Sequence, residues 1–446
     1  MKLRRVDGRE PSQARPVSIE THFMETAAGS CLISTGRTRV ICTASVEEGV
    51  PPFRRGTGLG WVTAEYAMLP ASTGSRKPRD GIKKDGRSVE IQRLIGRSLR
   101  QAVDMRLLGE RTITLDCDVL QADGGTRTAS ISGAMVALTL CIDRLIREGR
   151  IPVSPLRHQV AAISCGIVEG TPCLDLCYQE DSRAQVDMNV VMNEEGAFIE
   201  LQGTGEGRAF TPEELRILTG YGEKGIREMM DSQRRALGDA ARWLCAKPVL
   251  VAASSNVHKI QELQSIFGKY YQVCSMKDFG FDGEIEEDAD TFAGNAVLKA
   301  RAVCEALKLP TIADDSGLSV DALGGEPGVH SARYCGRHGD DEANNDLLLE
   351  KMKNEENRAC AFHSAICIMH PGEEPMVAEG VCPGILLRER RGEGGFGYDP
   401  LFLYEELNKT FAQVTPEEKN AVSHRARACR KMLEMLEARY EGACDE

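Results

Sequence analysis

The first half of this chain is organised around the stretch Gln121-Ala122-Asp123-Gly124-Gly125-Thr126-Arg127-Thr128-Ala129-Ser130. Alternating apolar and acidic residues precede it (113–120) and helical apolar spacing follows it (131–146), which predicts a strand, a tight turn and a helix. The glycines let the backbone turn and present N–H groups, and a helix start carries partial positive charge. The turn therefore predicts a phosphate site at Gly125, Thr126 and Arg127, with an ordinary capped glycine turn as the alternative.

Two acidic residues further along the chain form a second candidate group. Alternating apolar residues at 186–192 predict a strand on which Asp187 faces away from Val186 and Met188. Two carboxylates near a phosphate site commonly hold Mg²⁺, a hard ion that prefers oxygen ligands. Asp181 and Asp187 are therefore the expected metal ligands, although two surface aspartates near a turn would give the same pattern.

Basic residues cluster before the phosphate turn, with ten Lys and Arg against four Asp and Glu between positions 76 and 106. Apolar spacing at 88–103 predicts a helix, and Arg93, Arg97 and Arg100 share a face away from its apolar side. This face predicts a track for an RNA backbone, with a solvated helix surface as the ordinary alternative. Arg87 stands just before the helix, where its guanidinium could point at the phosphate turn.

Length and charge divide the chain into two domains. Its 446 residues exceed one ordinary core, and its net charge of −12 is split into +2 over residues 1–247 and −14 over residues 248–446. A long helical pattern (212–245) ends before Lys247-Pro248, and a new strand begins at Val249. We expect one domain at 1–247 and another at 248–446. The first could hold nucleic acid, and the second suits a small anion with a metal.

The composition indicates a cytoplasmic protein. Hydrophobic residues make up 42% of the chain, no apolar run reaches the length of a membrane span, and the first residues lack the apolar segment of a signal peptide. The 16 cysteines are scattered without a Cys-x-x-Cys pair, which favours reduced and mostly buried thiols. We therefore expect a cytoplasmic location and no membrane partner.

The first domain resembles the ribonuclease PH family. The matching segments follow in order across residues 1–245: Asp7-Gly8-Arg9, Val50-Pro51-Pro52-Phe53, Gly60-Trp61-Val62-Thr63-Ala64-Glu65-Tyr66, Glu90-Ile91-Gln92-Arg93-Leu94-Ile95-Gly96-Arg97, the stretch 121–130, Val186-Asp187-Met188-Asn189 and Glu200-Leu201-Gln202-Gly203-Thr204. The resemblance implies a ribosomal S5 domain 2-like α+β fold and a ring-shaped hexamer. It also implies phosphate-dependent removal of nucleotides from RNA 3′ ends, tRNA precursors included. The implied site residues are Arg87, Gly125, Thr126 and Arg127 for inorganic phosphate, and Asp181 and Asp187 for Mg²⁺ and acid–base work.

The second domain opens with a strand (249–253), a polar turn and a helix (259–267), an order that presents a helix start to a phosphate. Simple capping of the helix by Ser255 or Asn256 explains the same turn. Further on, Asp314 and Asp315 follow an apolar strand (311–313), a placement that suits Mg²⁺ and an activated water. One of these two aspartates could instead cap the next turn.

Residues near the end of the second domain predict a base pocket. The segment 394–400 joins flexible glycines to Phe396 and Tyr398, which suits a clamp for a flat base. An ordinary glycine loop with a core aromatic is the alternative. Lys419 and His424 fall in a helical pattern, where His424 taken alone would be a surface histidine.

These segments together resemble the inosine/xanthosine triphosphate pyrophosphatase family over residues 249–438. The resemblance implies a two-lobed α/β domain with a central mixed sheet, dimers, and Mg²⁺-dependent hydrolysis of ITP, dITP and XTP to the monophosphate and pyrophosphate. Asp315 is then the metal-linked base, with Glu287 as a further metal ligand. The implied nucleotide ligands are Ser254, Ser255, Asn256, Val257, His258, Lys259, Ser316, Phe396, Gly397, Tyr398, Asp399, Lys419, His424 and Arg425.

The second domain also departs from that family's pattern. Ser255 and His258 replace two glycines of the first loop, Ala293-Gly294 stand where a Glu is usual, and His330 replaces a Tyr. The missing Glu weakens metal binding unless Glu286 or Glu287 compensates. The sequence thus predicts a bifunctional hexamer with dimerising second domains. The alternative is that one half, the second in particular, is a weakly active RNA-binding, nucleotide-binding or oligomer-forming module.

Overall fold

The computed structural model describes residues 5–79, 86–283, 285–337 and 339–442. The chain forms two compact units, Met1–Ala246 and Lys247–Glu446. Each unit has its own sheets and its own buried apolar core. The α/β class is confirmed, with a mixed sheet in the second unit.

The first unit contains two sheets. The five-stranded sheet has the order β1-β2-β3-β5-β4, in which β4 and β5 are parallel and the other pairs antiparallel. Its strands are β1 Val17–Thr21, β2 Gly29–Thr35, β3 Thr38–Glu48, β4 Trp61–Met68 and β5 Arg111–Gln121. The antiparallel four-stranded sheet has the order β7-β6-β8-β9. Its strands are β6 Val160–Val168, β7 Thr171–Leu174, β8 Val186–Asn193 and β9 Phe198–Gly205.

Five described α-helices pack with these sheets. They are α1 Gly86–Arg100, α2 Met105–Leu108, α3 Thr126–Arg147, α4 Tyr178–Asp181 and α5 Pro212–Leu237. The long helical pattern predicted for 212–245 is broken in the structure. Helix α5 ends at Leu237 because Gly238 has a φ of 53°, and a 3-10 helix, Gly238–Trp243, follows.

Helix α3 is the core helix of the first unit. By length and composition it could cross a membrane, which corrects the prediction that no apolar run is long enough, but 89% of its most apolar window is buried. Gly133 lets it lie close to the five-stranded sheet, since a Cβ there would stand 2.7 Å from the Cys42 sulfur. Burial inside the unit is what an apolar helix of a packed core shows.

The second unit is built on one seven-stranded sheet with the order β11-β10-β12-β13-β14-β15-β16. Strand β10 is parallel to β11 and β12, and the remaining pairs are antiparallel. The strands are β10 Val249–Ala252, β11 Gln272–Ser275, β12 Thr311–Val320, β13 Ala359–Met369, β14 Met376–Leu386, β15 Phe402–Tyr404 and β16 Lys409–Thr410. The described α-helices are α6 Val257–Phe267, α7 Phe292–Leu307, α8 Asp341–Lys351, α9 Pro416–Val422 and α10 His424–Gly442.

Strand β12 is much longer than predicted. It continues to Val320, paired along its whole length with β13, so Asp314 and Asp315 lie within the strand and not beyond its end. Neighbouring residues of a strand point to opposite faces. The two carboxylates therefore face different surroundings.

The turn between β5 and α3 places two consecutive glycines in the left-handed region. Gly124 has a φ of 78° and Gly125 a φ of 66°, values that side chains other than glycine adopt only with strain. A Cβ at Gly124 would also lie 2.6 Å from the Leu176 carbonyl oxygen and 2.9 Å from the Tyr178 nitrogen. The absence of a side chain at Gly124 thus lets the turn touch the backbone that leads into α4.

We predict that Gly124→Ala destabilises the first unit by about 2–4 kcal/mol, through backbone strain and overlap with the Leu176 carbonyl. The matched control is Gly149→Ala. Gly149 also has a positive φ, of 67°, but a Cβ there meets no atom within 4 Å. Strain alone gives a loss of about 1 kcal/mol for the control. Urea unfolding of both variants measures the difference, and equal losses would contradict the packing of Gly124 on the α4 segment.

Candidate active sites of the two units

The predicted phosphate turn lies at the N-terminus of α3. Gly125 is the N-cap residue, and Thr126 and Arg127 occupy the first helical positions, all partly buried. The Thr126 hydroxyl is hydrogen-bonded to the Tyr66 hydroxyl at 2.9 Å. The Arg127 guanidinium donates to Gln202 Oε1 at 2.8 Å. The helix start therefore presents backbone N–H groups, a hydroxyl and a fixed cation in one place, as an oxyanion requires.

A buried arginine that sequence reasoning missed holds this turn. Arg15 donates from Nη1 to the Asp123 carbonyl oxygen at 2.5 Å, and from Nε and Nη2 to the Asp175 carboxylate at 2.9 and 2.6 Å. Burial by itself raises the pKa of Asp175, but the Arg15 guanidinium holds that pKa below its usual range. Thr38 adds a hydrogen bond from its hydroxyl to the Gly124 carbonyl oxygen, 2.7 Å long.

The two predicted metal ligands of the first unit share one environment with the phosphate turn. Asp181 ends α4, Asp187 is the second residue of β8, and both are partly buried. Burial and the negative charge of Asp181 raise the pKa of Asp187 to about 6, against the opposing charges of Arg127 and Arg87. Arg87 is otherwise exposed at the start of α1.

These carboxylates fit a divalent cation. Burial also raises the pKa of Asp181, against the opposing charges of Arg87 and Arg127, and Glu206 adds to the rise. Within the described parts of the chain, neither Asp181 nor Asp187 forms an ion pair closer than 4.0 Å, so their oxygens are open to a cation. Glu206 is a third acid that sequence reasoning missed, and its place between two glycines gave no signal. A hard ion with oxygen ligands, such as Mg²⁺, suits this donor set.

The structure separates the three arginines predicted to form an RNA track. Arg93 is exposed. Arg97 is exposed too, but forms a bidentate pair with Glu200 at 2.7 and 2.9 Å. Arg100 is not on the track, since its guanidinium donates to the Val62 carbonyl oxygen at 3.0 Å and lies 4.6 Å from the Trp61 ring centroid. The predicted helical spacing is confirmed, but Arg100 is bound to residues of the neighbouring strand β4.

In the second unit, Asp314 lies between two cations. Its Oδ2 is 2.8 Å from Lys259 Nζ and 3.1 Å from Arg425 Nη2, and its Oδ1 accepts a hydrogen bond from Ser364 at 2.8 Å. Burial by itself raises the pKa of Asp314, yet Arg425 and Lys259 hold that pKa well below its usual range. Asp314 therefore positions the two cations, a role that the sequence did not reveal.

Asp315 belongs to a separate group on the other face of β12. Its Oδ1 accepts a hydrogen bond from Lys299 Nζ at 2.8 Å and its Oδ2 one from Asn295 Nδ2 at 3.2 Å. Lys299 also contacts the predicted metal ligand Glu287 at 3.3 Å, whereas Glu286 is exposed. Burial raises the pKa of Asp315, although Lys299 opposes the rise. Lys299 was missed, and its spacing of four residues from Asn295 on α7 was the available signal.

The predicted nucleotide loop follows β10. Asn256 Oδ1 accepts a hydrogen bond from the Lys259 backbone N–H at 3.3 Å, and the Asn256 N–H donates to Ser254 Oγ at 3.1 Å. Ser255 and Val257 are exposed at the start of α6, while the His258 side chain lies outside the described part. The loop thus combines the predicted helix cap with an exposed helix start, and Lys259 points to Asp314.

An exposed aromatic and several buried charges form the candidate base pocket. Phe396 is 38% exposed, and the Lys419 ammonium lies 4.7 Å and the Arg425 guanidinium 5.8 Å from its ring centroid. Asp399 is buried, pairs with Lys419 at 2.5 Å and accepts a hydrogen bond from the Phe396 N–H at 3.0 Å. The Gly397 N–H donates to Asp341 at 2.7 Å. Asp399 and Gly397 therefore shape the loop that presents Phe396.

His424 is not the surface histidine that it would be by default. It is 5% exposed and its ring stacks on Phe362 with a centroid distance of 4.7 Å. Burial and the charge of Arg425 hold its pKa well below the usual range, so the imidazole is neutral. Its Nδ1 is buried and has no hydrogen-bond partner within the described residues.

Two other predicted base contacts have structural roles. Tyr398 is 4% exposed and its hydroxyl donates to the Ser331 carbonyl oxygen at 2.9 Å, so it is the core aromatic and not part of a clamp. Ser316 accepts a hydrogen bond from Arg425 at 3.3 Å and donates to Asp314 at 3.4 Å. Ser316 therefore joins the Asp314 network.

The units match different protein families. Residues 13–141 and 158–216 match the models of domains 1 and 2 of the 3′ exoribonuclease family, and residues 250–435 match the model of the Ham1 family. Ribonuclease PH of Synechococcus sp. (strain JA-2-3B'a(2-13)) is 56% identical over 240 residues, 53% of this chain and 98% of that protein. Ribonuclease PH of Corynebacterium glutamicum (strain R) is 58% identical over 236 residues, 52% of this chain and 96% of that protein. The solved structure of the Staphylococcus aureus Ham1 protein is 41% identical, with 43% of this chain and 99% of that chain covered and a TM-score of 0.41.

The chain belongs to the ribonuclease PH family through its first unit, and its second unit is a Ham1-family domain. The resemblance to both families is therefore confirmed. Both are enzyme families, of phosphorolytic exoribonucleases and of nucleoside triphosphate pyrophosphatases.

The raised pKa of Asp187 predicts a pH-dependent stability. Its folded-state pKa of about 6 lies above the ordinary value of 3.8, so the folded state binds this proton more tightly than the unfolded state does. The stability that the proton gives is full below pH 4 and is lost as the pH rises through 6. In a metal chelator, Asp187→Asn should raise the free energy of unfolding by about 1–3 kcal/mol at pH 7.5 and change it little at pH 4.

Urea unfolding of the variant and the parent chain at both pH values measures this gain. The matched comparison is Asp118→Asn: burial alone raises the pKa of this partly buried aspartate, without a neighbouring carboxylate, so its gain at pH 7.5 should be smaller than that of Asp187→Asn. If Asp187→Asn loses stability at pH 7.5, or gains the same stability at both pH values, then burial and the charge of Asp181 do not raise the pKa of Asp187.

Proposed function

We propose that this member of the ribonuclease PH family, with its Ham1-family domain, is a bifunctional cytoplasmic enzyme. The first unit removes nucleotides from RNA 3′ ends, tRNA precursors included, with inorganic phosphate as the attacking group. The second unit hydrolyses ITP, dITP and XTP to the monophosphate and pyrophosphate. One observation carries the proposal: in each unit, cations and a buried or partly buried carboxylate come together near the start of a helix that follows a strand, Asp187 with Arg127 and Arg87 in the first unit and Asp314 with Lys259 in the second.

The first reaction needs two anions to meet. An oxygen of inorganic phosphate attacks the phosphorus of the last phosphodiester, the bond to the 3′ oxygen of the preceding nucleotide breaks, and a nucleoside diphosphate leaves. Thr126, Arg127 and the N–H groups at the start of α3 would hold the attacking phosphate together with Arg87, whose charge acts on Asp187. Positioning and charge neutralisation are sufficient for phosphoryl transfer, so no nucleophilic side chain is required.

Asp181 and Asp187 have two tasks in this reaction. They would hold Mg²⁺, which neutralises phosphoryl oxygens when bound. Asp187 is also the acid that would give a proton to the leaving 3′ oxygen. Tyr66 and Gln202 keep Thr126 and Arg127 in place.

The second reaction is a hydrolysis. Water attacks the α-phosphorus of the nucleoside triphosphate, the bond from this phosphorus to the α–β bridging oxygen breaks, and pyrophosphate leaves with that oxygen. Asp315 would accept the proton of the water, and Lys299 and Asn295 donate hydrogen bonds to its carboxylate. Asp315 and Glu287 would hold Mg²⁺, and the shared contact with Lys299 supports Glu287 as the substitute for the missing Glu. Lys259 and Lys419 would bind the phosphate chain.

The base pocket gives a physical reason for the preference for 6-oxo purines. Hypoxanthine and xanthine carry an acceptor where adenine carries an amino donor. If the neutral His424 presents its partnerless Nδ1 as a donor, with Arg425 beside it, ATP would bring donor against donor. Such a mismatch costs about 1–3 kcal/mol. Phe396 would cover the face of the base.

We also propose that the chain assembles as its families suggest, with the first units in a hexameric ring and the second units in dimers. A ring would collect several RNA sites in one particle.

Phosphate dependence tests the first activity. With a 3′-extended RNA and inorganic phosphate, the parent chain should release nucleoside diphosphates, and without phosphate trimming should stop. Asp187→Asn should lower this rate at least about 100-fold, because it removes a metal ligand and an acid at once. Asp118→Asn should trim normally. Release of nucleoside monophosphates without added phosphate would show hydrolysis and would contradict the proposed phosphorolytic activity.

Product analysis tests the second activity. ITP with Mg²⁺ should give IMP and pyrophosphate in equal amounts, and Asp315→Asn should lower the rate at least about 100-fold while RNA trimming continues. Asp321→Asn, an acid near the end of the same strand, is the control. Stepwise release of single phosphates would point to a different chemistry. The Asp187→Asn variant should hydrolyse ITP at the parent rate.

A further inference from the structure

Helix α8 of the second unit contacts the loop that carries the exposed aromatic of the candidate base pocket. This loop, residues 391–400, is closed at its ends, because the Arg391 N–H donates to the Pro400 carbonyl oxygen at 2.9 Å. Phe396 lies between these ends and is the side chain proposed to cover the base. No residue of α8 has a part in the proposed reactions, yet its contacts bear on where Phe396 stands.

Two side chains of α8 hold Gly397, the residue that follows Phe396. Asp341 Oδ2 accepts a hydrogen bond from the Gly397 N–H at 2.7 Å, and Asn345 Nδ2 donates to the Gly397 carbonyl oxygen at 2.9 Å. Asp341 and Asn345 are four residues apart, which places both on one face of the helix. The Gly397 N–H shares its planar peptide unit with the Phe396 carbonyl. Asp341 therefore fixes the peptide plane that follows Phe396, and Asn345 fixes the next one.

The loop needs such contacts because its own backbone is weakly restrained. Four of its ten residues are glycine. Gly397 has a φ of 62°, in the left-handed region that glycine enters freely. A Cβ at Gly397 would meet no atom within 4 Å, so packing does not hold the backbone there. The position of Phe396 thus depends on hydrogen bonds from outside the loop.

Helix α8 also holds the residue just before the loop, but more weakly. Arg390 Nη2 donates to Asp346 Oδ1 at 2.7 Å and to the Glu342 carbonyl oxygen at 3.0 Å. The Asp346 side chain is 70% exposed, and water and salt screen an exposed ion pair. Asn345 is only 2% exposed, so water does not compete for its bond with Gly397. The contacts at Gly397 are therefore the stronger hold on the loop.

The Asn345 amide is not explained by the packing of α8. Its Oδ1 is buried and has no hydrogen-bond partner within the described residues, and a buried polar atom without a partner lowers stability. A leucine of similar size would bury no such atom. The amide is explained by its N–H donor, which satisfies the Gly397 carbonyl oxygen.

We propose that Asp341 and Asn345 are positioning residues of the second unit, which set Phe396 against the base and so determine how tightly a purine nucleotide binds. This role rests on the proposed function, in which Phe396 covers the base. Within the described residues, the side-chain hydrogen bonds of Asp341 and Asn345 go to Gly397 alone. Their loss therefore weakens binding of the base and leaves the binding of the phosphates unchanged.

Calorimetry on the full chain with Mg²⁺ and two ligands tests this role. One ligand is an ITP analogue with a methylene group in place of the α–β bridging oxygen, which keeps the base and is not hydrolysed. The other is inorganic triphosphate, which has no base. Asn345→Ala should weaken binding of the analogue about two- to tenfold, the effect of one lost hydrogen bond, and leave binding of triphosphate unchanged.

The matched control is Asn344→Ala. Asn344 is an equally buried amide of α8, 2% exposed, but it accepts from the Cys335 N–H at 2.8 Å and does not contact the loop. Its loss damages the helix to a similar extent, and both ligands should bind as they do to the parent chain.

A second background separates positioning from general damage. Phe396→Ala should weaken binding of the analogue about tenfold, because it removes the ring that stacks on the base. Asn345→Ala should add nothing in that background, since Asn345 acts through Phe396. In ITP hydrolysis, Asn345→Ala alone should raise KM and leave kcat within about twofold of the parent value.

The proposal would be overturned if the parent chain and Asn345→Ala bound the analogue equally. An equal loss in Asn344→Ala, an equal loss for triphosphate, or an undiminished effect of Asn345→Ala beside Phe396→Ala would overturn it as well. A parent chain that binds the analogue but does not hydrolyse ITP would contradict the proposed hydrolysis alone. A parent chain that does not bind the analogue would contradict both.

Discussion

The buried guanidinium of Arg15 joins the two parts of the first site. One edge donates to the carbonyl of Asp123 at the start of the phosphate turn, and the other pairs with Asp175, which lies ahead of α4. Breaking a buried pair of this kind leaves a bare charge and costs about 3–5 kcal/mol. The turn and the acidic residue at the end of α4 can therefore face each other only while this pair is intact. Because Gly124 has no side chain, the backbone of the turn can also lie against the Leu176 carbonyl ahead of α4.

Asp314 has the corresponding place in the second unit. It is almost fully buried and stays ionised because Lys259 and Arg425 approach it from the two segments that would bind phosphates and base. Arg425 also pairs with Glu262 of α6. The second site thus depends on a buried anion between cations, and the first on a buried cation between a carboxylate and carbonyl oxygens. In both units, compensation of a buried charge fixes the groups that would meet the proposed ligand.

The local elements of both units could be predicted from the sequence, because each depends on residues that are neighbours in the chain. The turn at Gly124 and Gly125, the start of α3 and the helix cap at Asn256 follow from neighbouring residues. Contacts between residues that are far apart in the sequence could not be predicted in this way. Arg100 is drawn to Trp61 and Val62 of another strand, Tyr398 is fixed by Ser331, and His424 is buried under Phe362. The length of β12 was also missed, since its pairing with β13 carries polar residues into the sheet.

In the proposed function, each unit brings its own acids and cations together around phosphoryl groups. Anomalous diffraction from crystals soaked in Mn²⁺ and inorganic phosphate measures this most directly. We expect manganese between Asp181 and Asp187 and beside Asp315 and Glu287, with a phosphate against the N–H groups at Thr126 and Arg127. Manganese absent from both carboxylate groups, or phosphate bound away from the start of α3, would contradict it.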